Sequence, residues 1–357
     1  MDDIDANTTA NFSSCAVADV HVVVLNILCG IPFVIGIPSN SLVILAVILS
    51  KKLRTTTNVF VVNLSIADLL TCLTIPAFVV CVDLEFCMWD KLLYALDGAL
   101  CLGSVFVIST SLGCSLFSLF SIALNRLLLI TRPLTTYRKI YTPKKIAVWL
   151  VLTWFMCLGS LCIAVLPVQK GSTTGEQGVA IVIIPVHLIA IGVCYVLLWR
   201  HIKRHTWIMA RSRKVPNGTP AGSSTMTALS NTKRTLSPSP IGANTIMAGH
   251  SQLSRHQSEI TKNMFYVVCA SVLCIGPYGV CLFLDVDGHS IVAKQYAFVM
   301  LLFNSCVNPL IYAAKHRDFK TVFGCIVRRQ WEDIPEPSDF LKAMRRRKCC
   351  GRRNPSV

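Results

Sequence analysis

The stretch Asn308-Pro309-Leu310-Ile311-Tyr312 closes a long apolar segment, and the basic segment 315–329 follows it almost at once. A proline within a membrane helix frees a backbone carbonyl and creates a weak point. Nearby polar side chains must satisfy that carbonyl, because lipid cannot. The asparagine before the proline and the tyrosine three residues after it could stabilise two alternative arrangements. This stretch therefore predicts a conformational switch.

The composition around this stretch is that of a membrane protein. Of the 357 residues, 53% are hydrophobic, and the mean hydropathy is +0.59. Seven segments approach or exceed the roughly 20 apolar residues that are needed to cross a bilayer. They cover residues 21–49, 57–82, 93–130, 146–168, 179–199, 264–284 and 291–312. We therefore predict an all-α membrane protein built as a seven-transmembrane helix bundle.

The charges are distributed unequally between the two ends of these spans. The net charge of +16 could suggest nucleic-acid binding, but only three of the 34 Lys and Arg residues fall on the N-terminal side, namely Lys91, Lys170 and Lys294. By the positive-inside rule, this places the N-terminus outside the cell and the C-terminus in the cytosol. We expect a multi-pass protein of the plasma membrane with no nucleic-acid partner.

The segments outside the spans have distinct compositions. Residues 1–20 form a predicted extracellular N-terminus with glycosylation sequons at Asn7 and Asn11, and they contain no evident cleavable signal peptide. Residues 206–258 are rich in Ser, Thr, Pro and Gly, which predicts a disordered third cytoplasmic loop. Its Ser and Thr residues beside Arg and Lys suit kinase regulation, although a plain linker would have the same composition.

The last segment, 330–357, is a predicted basic cytoplasmic tail that ends in RRRKCCGRR. Its adjacent Cys349 and Cys350 could be acylated and held at an anionic leaflet. An unmodified basic tail is the alternative. Most of the 17 cysteines lie inside apolar spans, where cysteine behaves as a small hydrophobic residue, and they lack metal-ligand spacing.

A set of polar residues lies deep in the spans. Asp68 is far from either interface, and a buried carboxylate must be protonated, paired or bound to a cation. Ser115, Asn304 and Asn308 lie at similar depth. The four side chains could form a pocket for a hard cation, with sodium as the obvious candidate. They could equally form a hydrogen-bonded network that only joins helices.

Arg126 is the second unusual residue, because it lies at the cytoplasmic end of the third span. It could be an interface anchor whose long side chain reaches the headgroups. Alternatively, its guanidinium could change partners when neighbouring helices move.

Taken together, these residues resemble the rhodopsin-like (class A) G-protein-coupled receptors over residues 20–329. The matches in order are Asn40, the run Asn63-Leu64-Ser65-Ile66-Ala67-Asp68, Cys101, Arg126, Trp154, Pro277 and Asn308-Pro309-Leu310-Ile311-Tyr312. Phe319 and Phe323 suit the short amphipathic eighth helix of that family, with Cys325 as a candidate for lipidation. The resemblance implies a seven-helix receptor and no enzyme activity.

The resemblance also assigns roles to particular residues. It implies a sodium site at Asp68, Ser115, Asn304 and Asn308. It implies an activation switch that involves Asn125, Arg126, Tyr195, Pro277, Pro309 and Tyr312. The partners it implies are a heterotrimeric G protein, arrestin and receptor kinases. A transporter is the competing class, but the spans contain no inverted repeat.

Several positions depart from the family pattern. Asn125 and Leu127 replace the acidic residue and the tyrosine that normally flank Arg126. The sixth span has Ile275 in place of the usual tryptophan and Ser271 in place of the usual phenylalanine. We expect a weaker inactive-state latch on Arg126 and therefore appreciable signalling without ligand.

Two further departures leave structural questions open. Pro185 and Tyr195 are ten residues apart where the family usually has eight. The second outer loop, residues 168–180, contains no cysteine. Cys101 is therefore a disulfide candidate without its family partner; it could be free or pair with Cys15, Cys81 or Cys87.

Absences narrow the class of ligand. Ile108 occupies the position where amine receptors carry aspartate, and Leu302 the position where opsins carry the retinal-binding lysine. The predicted pocket residues are Ser104, Ile108, Ser109, Leu112, His187, Tyr278, Gln295 and Tyr296. Such a neutral, mostly apolar lining suits a lipid-like or uncharged ligand. A small peptide is the alternative ligand. Within the family, the chain is similar to the group with the melatonin, moody, trapped-in-endoderm and medium-chain fatty-acid receptors.

Overall fold

The structure, a computed structural model, describes residues 2–87, 91–165, 174–213, 265–284 and 291–351. The helices in these residues are α1 (Asp2–Leu49), α2 (Thr56–Cys87), α3 (Lys91–Thr131), α4 (Leu134–Ile140), α5 (Pro143–Val165), α6 (Thr174–Arg213), α7 (Phe265–Leu284), α8 (Ile291–Lys315), α9 (Arg317–Val327) and α10 (Asp339–Gly351). Short 3-10 helices at Lys51–Leu53 and Trp331–Asp333 complete the described part. The predicted all-α class is therefore confirmed.

Seven of these helices correspond to the seven predicted spans. Six of them contain stretches that are long and apolar enough to cross a membrane: Val20–Leu49, Thr56–Val80, Leu100–Thr131, Ile184–Arg204, Phe265–Leu284 and Val292–Lys315. The fourth predicted span is α5, whose 23 residues are long enough to cross the hydrocarbon core.

Two predicted boundaries differ from the structure. Helix α1 begins at Asp2 rather than near residue 21, so the predicted N-terminal segment is helical in its backbone. Helix α6 continues to Arg213, so the predicted third loop is helical over 206–213. The remainder of that loop lies outside the described residues.

The first two helices make a close contact through Gly36 in α1. A Cβ atom added to Gly36 would lie 2.3 Å from the Sγ of Cys72 in α2 and 3.6 Å from the Cβ of Cys306 in α8. Only glycine allows this approach without a shift of the neighbouring side chain. The contact sets the distance between three helices that surround the deep polar residues.

One end of the bundle carries α9; we call it the inner end, and the opposite end the outer end. At the inner end a buried cluster, the inner core, joins α1, α2, α3, α6, α7, α8 and α9. Its members include Val43, Phe60, Leu64, Leu119, Ile122, Tyr195, Val267, Tyr312, Phe319 and Val322. The Tyr312 ring stacks on Phe319 at 5.7 Å between centroids, which fixes α9 beneath α8. The predicted amphipathic eighth helix is α9.

Cys325, the lipidation candidate of this helix, packs against the inner core. Its side chain is buried with Phe323 and Ile326. Helix α9 is amphipathic, and position 325 falls on its apolar face with Phe319 and Val322. Lipidation of Cys325 stays a prediction.

The predicted tail begins with an ordered turn. Arg329 adopts φ 57°, its N–H donates to the carbonyl of Ile326 at 3.0 Å, and the N–H of Gln330 donates to Cys325 at 2.8 Å. This pair of bonds is the Schellman pattern that ends many helices, here with arginine at the usual glycine position. The turn directs the chain back toward α1.

Residues 330–338, which we call the tail strap, then pack against the end of α1. The N–H of Ser338 donates to the carbonyl of Leu49 and the N–H of Lys51 to that of Glu336, both at 2.8 Å. The Ser50 hydroxyl donates to Pro335 at 2.7 Å. The last carbonyls of a helix have no partner within it, so the strap satisfies one of them. Sequence reasoning missed this docking.

Side chains reinforce the strap. Ile334 and Leu341 are buried in the inner core. Ser338 caps α10, because its Oγ accepts from the N–H of Leu341 at 3.3 Å. Lys51 pairs with Asp339 at 2.7 Å and thereby lowers the pKa of that exposed carboxyl group.

Candidate functional site

Asp68 is the centre of a buried polar site between α2, α3 and α8. It is fully buried. Its Oδ1 accepts a hydrogen bond from the Ser115 hydroxyl at 3.0 Å, and its Oδ2 accepts one from the Asn308 amide at 3.0 Å. The Asn304 amide donates to Ser115 at 3.4 Å. The four residues that sequence analysis grouped are thus contiguous in space.

This site contains an acceptor oxygen without a donor. The Oδ1 of Asn308 is buried and has no hydrogen-bond partner within the described residues, and the Ser305 hydroxyl lies beside Asp68. No basic side chain in the described part of the chain forms an ion pair with Asp68. A buried carboxylate beside an unpartnered amide oxygen suits a small hard cation, since such ions prefer oxygen ligands. Ser305 was missed by sequence analysis, although it lies between Asn304 and Asn308.

Pro309 explains the position of Asn40. Because proline has no N–H, the carbonyl of Ser305, four residues earlier, loses its helical donor. The Asn40 amide in α1 donates to that carbonyl at 2.7 Å and also to Gly36 at 2.9 Å. The polar side chain that was predicted to satisfy the carbonyl freed by Pro309 therefore comes from a different helix.

Arg126 lies at the inner end of α3 and is buried. Its Nε has no hydrogen-bond partner among the described residues. The phenol groups that act on it electrostatically are those of Tyr195 and Tyr137. The chain just before the sixth span, residues 257–264, lies outside the described residues. Arg126 is thus a buried cation with an unpartnered Nε, and its part in a switch stays a prediction.

The side chain of Asn125 forms its hydrogen bonds with residues other than Arg126. Its amide donates to the Thr57 hydroxyl in α2 at 2.7 Å, and its Oδ1 accepts from the Tyr137 hydroxyl in α4 at 2.8 Å. Both polar atoms of the side chain are therefore used. Asn125 joins α3 to α2 and α4, a role that no pattern in the sequence indicated.

We expect Tyr137→Phe to lower the free energy of unfolding by about 1–2 kcal/mol, because the buried Oδ1 of Asn125 loses its donor. Thermal unfolding of the detergent-solubilised protein measures the change. Tyr141→Phe is the matched control, since Tyr141 packs on Tyr137 at 4.9 Å and its hydroxyl makes no hydrogen bond in the described part. Equal effects of the two substitutions would contradict the network.

Two tyrosines complete the inner half of the site. Tyr195 and Tyr312 both lie in the inner core, whereas Pro185, ten residues before Tyr195 in the same helix, is exposed. The Tyr312 hydroxyl is buried without a hydrogen-bond partner in the described residues. Both side chains are available to Arg126 if the helices move.

A separate network joins α2, α3 and α5. The Asn63 amide donates to Ser118 at 2.8 Å, and the Trp154 indole donates to the Asn63 oxygen at 3.0 Å. Both hydrogen bonds join side chains of different helices. Trp154, a residue that carried the family resemblance, therefore has a structural role here.

The outer half of the bundle contains two apolar clusters. The first includes Leu25, Ile75, Ile108, Val299 and Leu302, with Phe78, Leu112, Tyr296 and Phe298 against it. The second includes Leu116, Ile184, Ile275 and Leu301, with Leu112, Tyr278 and Phe298 against it. Leu112 and Phe298 thus bridge the two clusters. Phe298 packs on Phe78 at 5.1 Å and on Tyr278 at 5.6 Å.

The structure brings together some, not all, of the predicted pocket residues. Ile108, Leu112, Tyr278 and Tyr296 belong to these clusters. Other members lie apart from them. His187 packs on Phe117 at 4.2 Å, and the Ser104 hydroxyl donates to its own helix at 2.9 Å. Gln295 is half-buried and Ser109 is exposed, so both lie outside the two clusters.

Contacts at the outer end add one residue that sequence analysis did not name. The Tyr296 hydroxyl lies 3.0 Å from the Nδ1 of His21, which joins α8 to α1.

Cys101 is disulfide-bonded, as the sequence allowed. None of the ten other cysteines with described side chains is its partner. The side chains of Asn7, Asn11, Cys15, Cys81, Cys87, Cys349 and Cys350 lie outside the description.

The fold and the site define a class of protein. The helices that match the seven predicted spans, the internal Pro309 whose freed carbonyl accepts from Asn40 of another helix, and the buried Asp-Ser-Asn cluster are features of a membrane receptor. The chain matches the model of the seven-transmembrane receptor (rhodopsin) family over residues 39–179 and 172–312. It belongs to that family, whose members are signalling receptors rather than enzymes.

Individual proteins support this assignment. The chain is 27% identical over 311 residues to the histamine H2 receptor of Canis lupus familiaris, covering 82% of this chain and 76% of that protein. It is 25% identical to G-protein coupled receptor 84 of Bos taurus (83% and 90% covered). It is 24% identical to melatonin receptor type 1B of Mus musculus (82% and 74% covered). The predicted similarity to melatonin receptors is confirmed.

The fold has a solved counterpart. Squid rhodopsin superposes with a TM-score of 0.64 at 18% identity, covering 86% of this chain and 85% of that one. The predicted seven-helix bundle is confirmed by this likeness.

Proposed function

We propose that the protein is a receptor that passes a signal from a lipid-like or uncharged small molecule to a heterotrimeric G protein. The observation that carries the choice of ligand is the apolar character of the two outer clusters. Ile108, at the position where amine receptors carry aspartate, is almost fully buried in the first cluster, and Tyr296, Phe298 and Leu112 pack against that cluster. A cationic amine would lose its hydration there without gaining a counter-charge. The Tyr278 and Tyr296 hydroxyls would orient a neutral ligand.

In the proposed orientation the N-terminus is extracellular and the inner end faces the cytosol. A ligand at the outer clusters and a G protein at the inner end would favour the same helix arrangement. Arg126, whose Nε is unpartnered, would then take new partners beside Tyr195 and Tyr312. We also propose that receptor kinases phosphorylate the Ser/Thr-rich residues 206–258 and that arrestin binds the receptor.

We also infer that Asp68 binds a sodium ion that favours the inactive arrangement. Asp68, Ser115 and Asn308 would supply oxygens, and the unpartnered Oδ1 of Asn308 fits this role. The ion would supply positive charge next to a carboxylate that has no basic partner in the described residues. These side chains would otherwise hold α2, α3 and α8 together through hydrogen bonds alone.

Asn125 leads to a prediction about signalling without ligand. Because both polar atoms of Asn125 bind Thr57 and Tyr137, no carboxylate restrains Arg126 from the adjacent position. Asn125→Asp would add that charge, and we expect ligand-free nucleotide exchange on the G protein to fall by about three- to tenfold. Purified receptor in nanodiscs provides the assay, and Asn58→Asp, another buried asparagine at this end, is the control. If nucleotide exchange without ligand is unchanged or faster in the Asn125→Asp variant, the inference that Arg126 lacks an inactive-state latch is wrong.

A ligand panel tests the proposed function. Fatty acids, neutral lipids, indoles, amines and short peptides would be applied to the receptor, with G-protein dissociation as the readout. We expect responses among the apolar compounds. Phe298→Ala should weaken potency at least about tenfold, because Phe298 bridges both clusters. Met300→Ala is the control, since Met300 lies on the exposed side of the same helix. A response confined to amines would overturn the choice of ligand, and substrate transport without G-protein dissociation would indicate a transporter.

A further inference from the structure

Helix α10 presents an apolar surface that nothing in the described protein covers. Phe340 and Met344, one turn apart, are 58% and 51% exposed. Leu341, on the neighbouring face, is buried in the inner core. Because Leu341 and the strap fix the helix in place, the exposure of Phe340 and Met344 follows from docking and not from a loose tail.

The strap determines the depth of this surface relative to the membrane. The N–H of Ser338, the capping residue of α10, donates to the carbonyl of Leu49. Leu49 is the last residue of the membrane-crossing stretch Val20–Leu49. Helix α10 therefore starts at the level where the first span leaves the hydrocarbon, which is the headgroup region of the bilayer.

The charge of α10 is complementary to an anionic lipid surface. After Asp339 the helix contains no acidic residue, and Lys342, Arg345, Arg346, Arg347 and Lys348 follow in sequence. Asp339 is paired with Lys51 and the nearby Asp318 with Lys52, at 2.7 and 2.9 Å. The strap also carries Glu332, Asp333 and Glu336, which are exposed and form no ion pair among the described residues. The basic residues Lys342 and Arg346 of α10 are exposed as well, and α10 itself has five basic residues against the single, paired Asp339.

We propose that α10, held by the tail strap against the end of α1, is a docking surface for anionic phospholipid headgroups. Phe340 and Met344 enter the interface between headgroups and acyl chains, and the basic run binds the phosphates and carboxylates around them. This is the binding mode of helices that lie in the membrane plane. The proposal rests on the orientation given above, in which α10 faces the anionic cytoplasmic leaflet, and is independent of the ligand.

The experiment compares hydrogen exchange of the full chain in two kinds of nanodisc, phosphatidylcholine alone and phosphatidylcholine mixed with phosphatidylserine. Cys349→Ser and Cys350→Ser are included so that acylation cannot contribute. We expect amides of residues 340–346 to exchange at least about tenfold more slowly with phosphatidylserine present. Equal rates in the two lipids would overturn the proposal.

Variants separate the parts of the surface. Arg346→Glu with Arg347→Glu should remove the lipid dependence, as should Phe340→Ser with Met344→Ser. The matched controls are Arg132→Glu with Arg138→Glu and Leu134→Ser with Ile140→Ser, which change exposed residues between α3 and α5. Slow exchange at the N–H groups of Lys51 and Ser338 verifies that the strap stays docked. If a substitution undocks the strap, the comparison of the two lipid compositions with the parent chain still tests the proposal.

A protein partner is the competing occupant. If α10 amides slow only when purified G protein or arrestin is added, and lipid composition has no effect, the surface is a protein-docking site and the proposal is wrong. A receptor that docks lipid through α10 but gives no G-protein response would instead count against the proposed function alone.

Discussion

Asp68→Asn should abolish the effect of sodium on ligand-free signalling. In the parent protein, replacing potassium with sodium is expected to lower basal nucleotide exchange by about threefold or more, because the ion favours one of two helix arrangements. In the variant the ratio of the two rates should be close to one. The substitution keeps the volume of the side chain and removes the charge that attracts the ion.

The same substitution should leave the fold intact. Ser115 can still donate to the amide oxygen, and the Asn308 amide can rotate by half a turn, because its own oxygen is unpartnered. Ser118→Ala is the matched control: it removes a buried hydroxyl from the same helix, one turn away from Ser115, and should keep the response to sodium. Equal exchange rates of the parent receptor in sodium and potassium would exclude the ion site.

Gly36→Ala should lower the free energy of unfolding by about 1–3 kcal/mol, because the new Cβ would lie 2.3 Å from the Sγ of Cys72. Cys72 is fully buried and has little space in which to rotate. The measurement is the thermal unfolding midpoint of the purified protein, with yield at the cell surface as a second readout.

Two further variants isolate the cause. In Gly30→Ala nothing lies within 4 Å of the added Cβ, so this change in the same helix should be neutral or slightly stabilising. Cys72→Ala in the Gly36→Ala background removes the clashing sulfur and leaves a tolerable 3.4 Å contact with the Cys72 Cβ. The double variant should therefore recover most of the loss. An unfolding midpoint that does not recover would show that helix spacing is not set at this contact.

The deep site was predictable because rigid helices translate sequence spacing into position. Asn304 and Asn308 are one turn apart, so both must face the same neighbour, and a buried Asp68 needs donors. The requirement for a polar partner near Pro309 was also predictable. That the partner would be Asn40 acting on the Ser305 carbonyl was not, because it depends on how two distant helices pack.

The inner surface was less predictable because its contacts are tertiary. Cys325 lies beside basic residues in sequence, yet the register of α9 turns it into the inner core. Tyr137 and Thr57 are 80 positions apart and carry no pattern that marks them as partners of Asn125. Neither the Ser338 cap nor its docking site at Leu49 was predicted, because the docking depends on how the chain after α9 packs against the end of α1.

The docked strap also determines where the C-terminus leaves the protein. Because Ser338 is bonded to the end of α1, a fluorophore or reporter enzyme fused after Val357 is tethered from beneath the first helix and not from the far end of α9. Energy-transfer distances from such a fusion to a G protein would therefore report on separation from α1. Fusions that end the receptor after Val327 would remove the strap, uncover Leu49 and Leu53, and measure a different geometry.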